Sequence, residues 1–351
     1  MSVPTRPGGA APPLPPLPLP RSPGGGGRQG RSPKKKRVNE SISTWRLTDR
    51  IGYVLMWAAG LLLCAIGIGI LAYMAFKGLQ YLRPQLILSS PTADVDQSSS
   101  GGFLDPLLGT ILITLIGILI ATPIAIFAAT WIVEYGRPTW LARLIDSGIE
   151  IIAGTPDIVI ALFGLVLFQQ GIFGWMSFTA TDGAVFGRSF LAAGAAMSLI
   201  ALPMVFAATR EGLQSIPLHI REASYALGKT KAATIRRVLL PSVKANISTG
   251  AALGMGRIAG DTAIIVVLLG ASLTLDPEGN VPGLNVLKGT GGTLTSYVYN
   301  NSPAGEGNAP QKAYAAAFVL LLIVLALNFA VDLIARSGAK TGLETSRLGA
   351  R

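Results

Sequence analysis

The sequence predicts an all-α protein, a polytopic transmembrane helix bundle of six spans. Three observations carry that expectation. Half of the 351 residues are apolar and only 13% are charged, with positive mean hydropathy; a soluble domain carries about a quarter charged residues. Six apolar runs recur along the chain, each near the roughly 20 residues a helix needs to cross a bilayer. Lys and Arg gather on alternate loops, as they do on the cytoplasmic side of membrane proteins.

Residues 1–50 are dominated by Pro, Gly, Ser and basic residues. Too little apolar surface is present to offset the entropy of ordering, so this segment is expected to be a disordered cytoplasmic tail. Leu14–Pro20 has polyproline character, and Pro33–Val38 is a basic cluster of nuclear-import type. Ahead of a polytopic domain, the cluster is read instead as fixing the N-terminus in the cytoplasm and touching anionic lipid. The formal charge of +11 therefore does not predict a nucleic-acid partner: ten of the 29 Lys and Arg lie in this tail and most of the rest in short loops. No cleavable signal peptide is expected, because the first apolar run starts too late and is too long.

The first run, Gly52–Phe76, and the loop after it occupy residues 51–106. Residues 107–335 hold the other five: Leu107–Val133, Ile149–Phe173, Phe190–Thr209, Ala245–Ala271 and Ala313–Ile334. Residues 336–351 form a C-terminal tail. With the N-terminus inside, the cytoplasmic segments 134–147, 210–237 and 335–351 carry twelve Lys and Arg, against five on the outside loops. Both termini are thus expected inside. Loop 272–312, with Asp276-Pro-Glu-Gly-Asn280 and Gly289-Thr-Gly-Gly292, reads as irregular turns.

Few residues suggest chemistry. Cys64 falls within an apolar run and reads as a small packing residue. The single histidine, His219, has no clustered Cys or second His beside it, so no metal site is expected. There is no paired-carboxylate, Ser/His/Asp or Cys/His set. No G-x4-G-K-[ST] loop is present, so the chain is not expected to hydrolyse ATP itself.

Between the fourth and fifth runs lies a polar, basic segment, within residues 210–241. Pro217 suits the start of a short helix running to Leu227. Gly228 suits its stop, since a glycine there takes left-handed dihedrals without a Cβ clash. A second short helix, Thr230 to Leu239, follows. Glu222 is placed to cap backbone or to pair with a basic residue, and Ala223 and Gly228 allow close approach. The fifth run contains Arg257, which costs about 2.5–3.5 kcal/mol at the centre of a membrane helix and so implies a partner, a water-filled path or both. Asp261 lies four residues on and shares its helix face; basic before acidic is the weaker order for such a pair, so a partner elsewhere is also open. Gly250 and Gly254, and Gly256 and Gly260, have the spacing of closely packed helices.

Glu222-Ala-Ser-Tyr-Ala-Leu-Gly228 and, nine residues later, Val238-Leu-Leu-Pro241 resemble the signature loop of ABC-importer permeases, E-A-A-x3-G-x9-I-x-L-P. Glu222, Ala223, Gly228, Leu240 and Pro241 match; Ser224 and Val238 are mild departures. Gly256-Arg-Ile-Ala-Gly-Asp-Thr-Ala263 resembles the G-R-A-x-G-E-T-A motif of phosphate-specific permeases, with Asp261 in place of Glu. Trp131–Gly136, Ala153–Phe163 and Gln214–Ala223 resemble further segments of the same family, closest to the A-type subunit of the Pst system. Asp157 stands where that family has Ser, and its plain reading is a helix cap after Pro156.

The resemblance implies a type I, MetI-like permease fold in a bacterial plasma membrane. It implies a non-catalytic subunit that binds no cofactor itself, with ATP used by separate ATP-binding subunits. Its other implied partners are a second homologous permease subunit and an extracytoplasmic phosphate-binding protein. Glu222, Ala223, Gly228, Leu240 and Pro241 would couple to the ATPase. Arg257, Asp261 and Thr262 would line the translocation path, with Arg257 attracting the anion and Asp261 holding the arginine when the path is empty. Phosphonate, sulfate or molybdate are alternative solutes. An ion-driven carrier or channel is the rival from another class, and a signalling scaffold using the basic tail a third.

Overall fold

The computed structural model describes residues 47–91, 101–136, 139–177, 186–270, 284–303 and 309–348, and helices are the only regular elements among them. The tail with its polyproline and basic segments lies outside the described residues, as does Asp276–Asn280. The chain divides into two compact units, Met1–Leu63 and Cys64–Arg351. The described part of the first is the opening of helix α1 (Leu47–Tyr81), where the rings of Tyr53 and Trp57 meet edge to face at 6.3 Å.

The second unit begins within α1. Cys64 is exposed there, not packed as expected. Its neighbours Ile66, Ile68 and Ile70 are also exposed, and a helix apolar all round belongs in a bilayer. The last turns of α1 do find a partner in α14 (Pro310–Leu348): a Cβ on Gly78 would lie 2.3 Å from Phe318 Cβ, so only a glycine fits.

After the short α2 (Pro84–Leu88), helices α3 (Leu104–Trp131) and α6 (Phe190–Ser215) complete the long apolar set with α1 and α14. They account for the first, second, fourth and sixth predicted spans. Of these, α6 is the hub: 72% of its most apolar stretch is buried, against 33% for α3 and 22% for α14. Small residues make this possible. Ala192, Ala193, Ala196 and Ala201 are buried, and a Cβ on Gly194 would come within 2.4 Å of Ile116. Without a hydrophobic drive between helices in lipid, such close backbone approach supplies the packing energy.

The third and fifth predicted spans are not continuous helices. The third divides into α4 (Trp140–Gly154) and α5 (Asp157–Phe168), bent by 109° at Thr155–Pro156. Proline disfavours helical dihedrals in the residue before it, and Thr155 is extended at φ −80° and ψ 131°. The fifth divides into α10 (Lys244–Gly260) and α11 (Ala263–Leu268), with Asp261 extended between them. Among the described residues four helices are long and apolar enough to cross a membrane, or five if the bent pair counts as one crossing. Along α10, Gly250 and Gly254 pack against Val205, Ala208 and Ala201 of α6, as their spacing predicts, whereas a Cβ on Gly260 would meet open space.

Part of the loop read as irregular turns is an ordered, buried element. After α12 (Leu284–Lys288), residues Gly291–Tyr297 are buried, and α13 (Leu294–Asn301) opens with Thr293 and Ser296 in a reciprocal capping box. The carbonyl of Gly292 sits where a side chain on Gly109 of α3 would be, 2.1 Å from its ideal Cβ. Leu294 N–H donates to Thr110 Oγ1 at 2.8 Å, fixing the segment to α3.

Candidate functional site

The predicted helical hairpin between the fourth and fifth runs is present. Pro217, extended at φ −60° and ψ 146°, precedes α7 (Leu218–Ala226). Gly228 ends the turn at φ +72°. Thr230 then caps α8 (Lys231–Thr234), its Oγ1 accepting from Ala233 N–H at 3.3 Å. A π turn, Ile235–Leu239, and the short α9 (Leu240–Ser242) lead into α10. Ser224 and Thr234 join the two arms through hydroxyls 2.8 Å apart, both buried.

Underneath lies a small apolar core of Leu213, Ile216, Ile235, Leu239 and Val243, with Val133, Ile220, Val238 and Leu240 packed against it. The signature residues therefore divide by role. Leu240 faces inward and anchors the hairpin. Glu222, Ala223, Gly228 and Pro241 face outward, beside the exposed Leu218, Tyr225 and Leu227. Glu222 neither caps nor pairs as expected: among the described residues its carboxylate has no partner. The outward face is thus a carboxylate and a glycine turn set among apolar side chains that a monomer leaves in solvent.

The hairpin is fastened to the end of α3 by residues from two quoted segments whose contact the sequence does not reveal. A π turn, Ile132–Gly136, extends α3 and carries Glu134 and Tyr135. Arg221 donates from Nε and Nη2 to Glu134 Oε1 at 3.1 and 3.0 Å. Its Nη1 and Nη2 also donate to the carbonyls of Ile216 and Leu213, at 2.7 and 2.8 Å. Lys231 donates to the Glu134 carbonyl and lies 4.2 Å over the Tyr135 ring. Only 13% of the Arg221 side chain and 5% of Glu134 are exposed. One guanidinium therefore ties the ends of α3 and α6 to the start of α7. A second pair, Arg210 to Asp146 at 2.8 Å, ties α6 to α4.

The intramembrane charges meet where the two broken helices approach. Arg257 is not held by Asp261. Its Nη2 donates to both carboxylate oxygens of Asp157, at 2.9 and 3.0 Å. Asp157 does occupy the first turn of α5, but its carboxylate is spent on the arginine and not on capping. The i, i+4 expectation for Arg257 and Asp261 fails because α10 ends at Gly260. Asp261 instead closes the break: its Oδ2 accepts from Ile264 N–H at 2.8 Å and its carbonyl accepts from Thr295 Oγ1 at 3.0 Å. Thr262, half-buried, stands at the start of α11. Asp261 still interacts electrostatically with both Arg257 and Asp157, so two carboxylates and one guanidinium share the site. Nε and Nη1 of Arg257 have no hydrogen bond among the described residues. The sequence places Thr110, Thr293 and Thr295 in no site, yet they hold the buried segment against the break.

Residues 121–338 match the family described as binding-protein-dependent transport system inner membrane component. The chain belongs to this family. The phosphate transport system permease protein PstA 1 of Mycobacterium tuberculosis (strain ATCC 25618 / H37Rv) is 32% identical over 67% of this chain and 70% of its own length. The probable ABC transporter permease protein YqgI of Bacillus subtilis (strain 168) is 27% identical over 81% of this chain and 94% of its own. The phosphate transport system permease protein PstC of Xylella fastidiosa (strain 9a5c) is 29% identical over 67% and 72%. Among solved structures, a bacterial alginate ABC transporter in complex with alginate pentasaccharide-bound periplasmic protein aligns at TM-score 0.56 and 16% identity, over 84% of this chain and 99% of the other; that likeness concerns fold alone. The chain is a multi-pass membrane permease subunit of an ABC importer with the type I fold.

For such a permease the Gly228 turn has a measurable consequence. An ideal Cβ there meets nothing within 4 Å, so any cost of substitution lies in the backbone. A left-handed conformation costs an ordinary L-residue about 1–2 kcal/mol, while Asn tolerates it. Gly228→Val is expected to displace the turn and lower uptake at unchanged membrane content, and Gly228→Asn to retain most of it. Uptake per inserted molecule checks this; equal uptake for the two variants would remove the turn from the account.

Proposed function

We propose that the permease forms the translocation path of an ATP-driven importer for inorganic phosphate, together with a second homologous permease subunit. Two ATP-binding subunits would grip the outward face of α7 and the Gly228 turn from the cytoplasm, where both termini also lie. An extracytoplasmic binding protein would deliver the anion. ATP is bound and hydrolysed by those partners, and this chain holds no cofactor. Closure of the ATPases would move α7; Arg221 carries that movement to α3 and α6, and α8 carries it through the π turn into α10. The bundle then rocks between outward- and inward-open states.

The observation that carries the oxyanion reading is the guanidinium of Arg257, placed at a helix break with Nε and Nη1 unbonded. A planar fork of N–H donors matches tetrahedral oxyanions, and charges inside membrane bundles are costly unless they mark a pathway. The names of the relatives support phosphate within that class. Phosphonate, sulfate and molybdate are the competing solutes.

The test is uptake of labelled phosphate by the assembled transporter in ATP-loaded vesicles, with each oxyanion as competitor. Unlabelled phosphate is expected to abolish the signal, while sulfate and molybdate leave it standing. Sulfate or molybdate taken up in preference would reassign the solute, and uptake without the ATPase would return the carrier reading.

A further inference from the structure

We propose that Asp157 is an internal counter-ion of the path: it occupies Arg257 when the site is empty and yields the guanidinium to an incoming oxyanion. The inference rests on the reading of Arg257 as an anion contact.

The geometry distinguishes this pair from a structural lock. Arg221 with Glu134 is nearly sealed, at 13% and 5% exposure, and Arg221 spends further N–H groups on two carbonyls; Arg210 with Asp146 is more open, at 29% and 26%, but Arg210 also lies over the Phe206 ring. In the Arg257–Asp157 pair the side chains are 44% and 26% exposed. Arg257 commits a single nitrogen to it. A ligand can therefore reach the guanidinium on its open Nε and Nη1 edge before Asp157 lets go, so the cation is never left unpaired.

Asp261 cannot play this part. Its Oδ2 holds the Ile264 amide and its backbone carbonyl holds Thr295, so moving it would undo the start of α11 and the seat of the buried segment. Asp157 holds no backbone group: among the described residues its carboxyl meets Arg257 and the Asp261 carboxyl. It sits in the first turn after the 109° bend of α4 and α5, on a different helix from Arg257, so rocking of the bundle changes its distance from the arginine. The electrostatics also favour release. Two carboxylates act on the place where the anion binds, and a transport site must attract its ion weakly enough to let it leave. A neutral residue in place of Asp157 removes the competitor for Arg257 and turns a passing site into a holding one.

The experiment uses the assembled transporter, with its ATPase subunits, partner permease and binding protein, and labelled phosphate as the probe. Two quantities are read: maximal uptake at saturating loaded binding protein, and phosphate retained on the solubilised complex after rapid gel filtration. Asp157→Asn is expected to raise retention about ten-fold, the equivalent of about 1.4 kcal/mol, and to lower maximal uptake several-fold; Asp157→Glu is expected to return both toward wild type. An Asp157→Asn transporter with wild-type uptake and retention, or one changed only in the amount of inserted protein, would overturn the counter-ion role. Arg257→Gln separates the two readings. If it loses uptake while Asp157→Asn behaves as wild type, Asp157 alone is misassigned; if it transports normally, the anion contact beneath both has failed.

Discussion

Arg257→Ala is expected to lower oxyanion uptake by about ten- to a hundred-fold while the protein still inserts and assembles. The size follows from what is removed. A hydrogen bond to a charged group contributes about 1.5–3 kcal/mol, and about 1.4 kcal/mol is one decade in an equilibrium. The substitution also strips Asp157 of its partner, leaving two carboxylates to repel the anion with no guanidinium to offset them. Assembly should survive because the seating of α10 does not depend on this side chain. Gly250, Ala251, Gly254, Met255, Ile258 and Ala259 are its buried residues, whereas the Arg257 side chain is 44% exposed. Arg257→Lys keeps the charge but not the fork, so it should fall between alanine and wild type. Uptake per inserted molecule, with membrane content followed by a fused fluorophore, decides it. Undiminished uptake in the alanine variant would remove Arg257 from the path.

That prediction depends on a contact the sequence does not reveal. The sequence makes Arg257 conspicuous, since an arginine amid apolar residues demands a partner, but it offers Asp261 at helical spacing and reads Asp157, 100 residues away, as a helix cap. The misreading has one cause. Hydropathy reports which residues are apolar, not whether their backbone is continuous, so Ile149–Phe173 and Ala245–Ala271 read as whole spans. The breaks do leave local marks: Pro156 in the first, and Gly260-Asp261-Thr262, a helix stop followed by a capping acid, in the second. The hairpin was legible to within a residue or two because its punctuation is strong and local, with Pro217 before the first arm, Gly228 after it and Thr230 before the second. Which way its residues face was less so, and Leu240 anchors the hairpin where a docking residue was expected. Gly291–Tyr297 hid in plain composition. Gly, Thr and Ser suggest turns, yet here Gly292 approaches Gly109 closely, Leu294 N–H donates to Thr110 and Thr295 donates to the Asp261 carbonyl.

Arg221→Ala is expected to have the largest effect on stability of any single substitution in the coupling region. Removing one partner of a buried ion pair costs about 3–5 kcal/mol, because the other charge stays buried and uncompensated. Here Glu134 is 5% exposed, and the same guanidinium also satisfies the carbonyls of Leu213 and Ile216. Those carbonyls lie at the end of α6, where helical acceptors lack intrahelical donors. Lysine offers three donors on one nitrogen where the guanidinium makes four hydrogen bonds from three, so Arg221→Lys should recover only part of the loss. Glu134→Gln together with Arg221→Ala should be more stable than Arg221→Ala alone, since it removes the stranded charge; that non-additivity is what identifies a coupled pair. Heat treatment followed by size-exclusion of the solubilised protein reads these three variants, Glu134→Gln alone and wild type. The consequence for function is separable. With the hairpin loosened from α3, the ATPase should still bind the outward face of α7 and hydrolyse ATP, but less of that motion should reach the bundle, so uptake per ATP falls below wild type in whatever protein survives. If Arg221→Ala matches wild type in heat stability, the pair is not the fastening its geometry describes; if it is unstable yet transports with an unchanged ratio of uptake to hydrolysis, the fastening holds the fold without carrying the stroke.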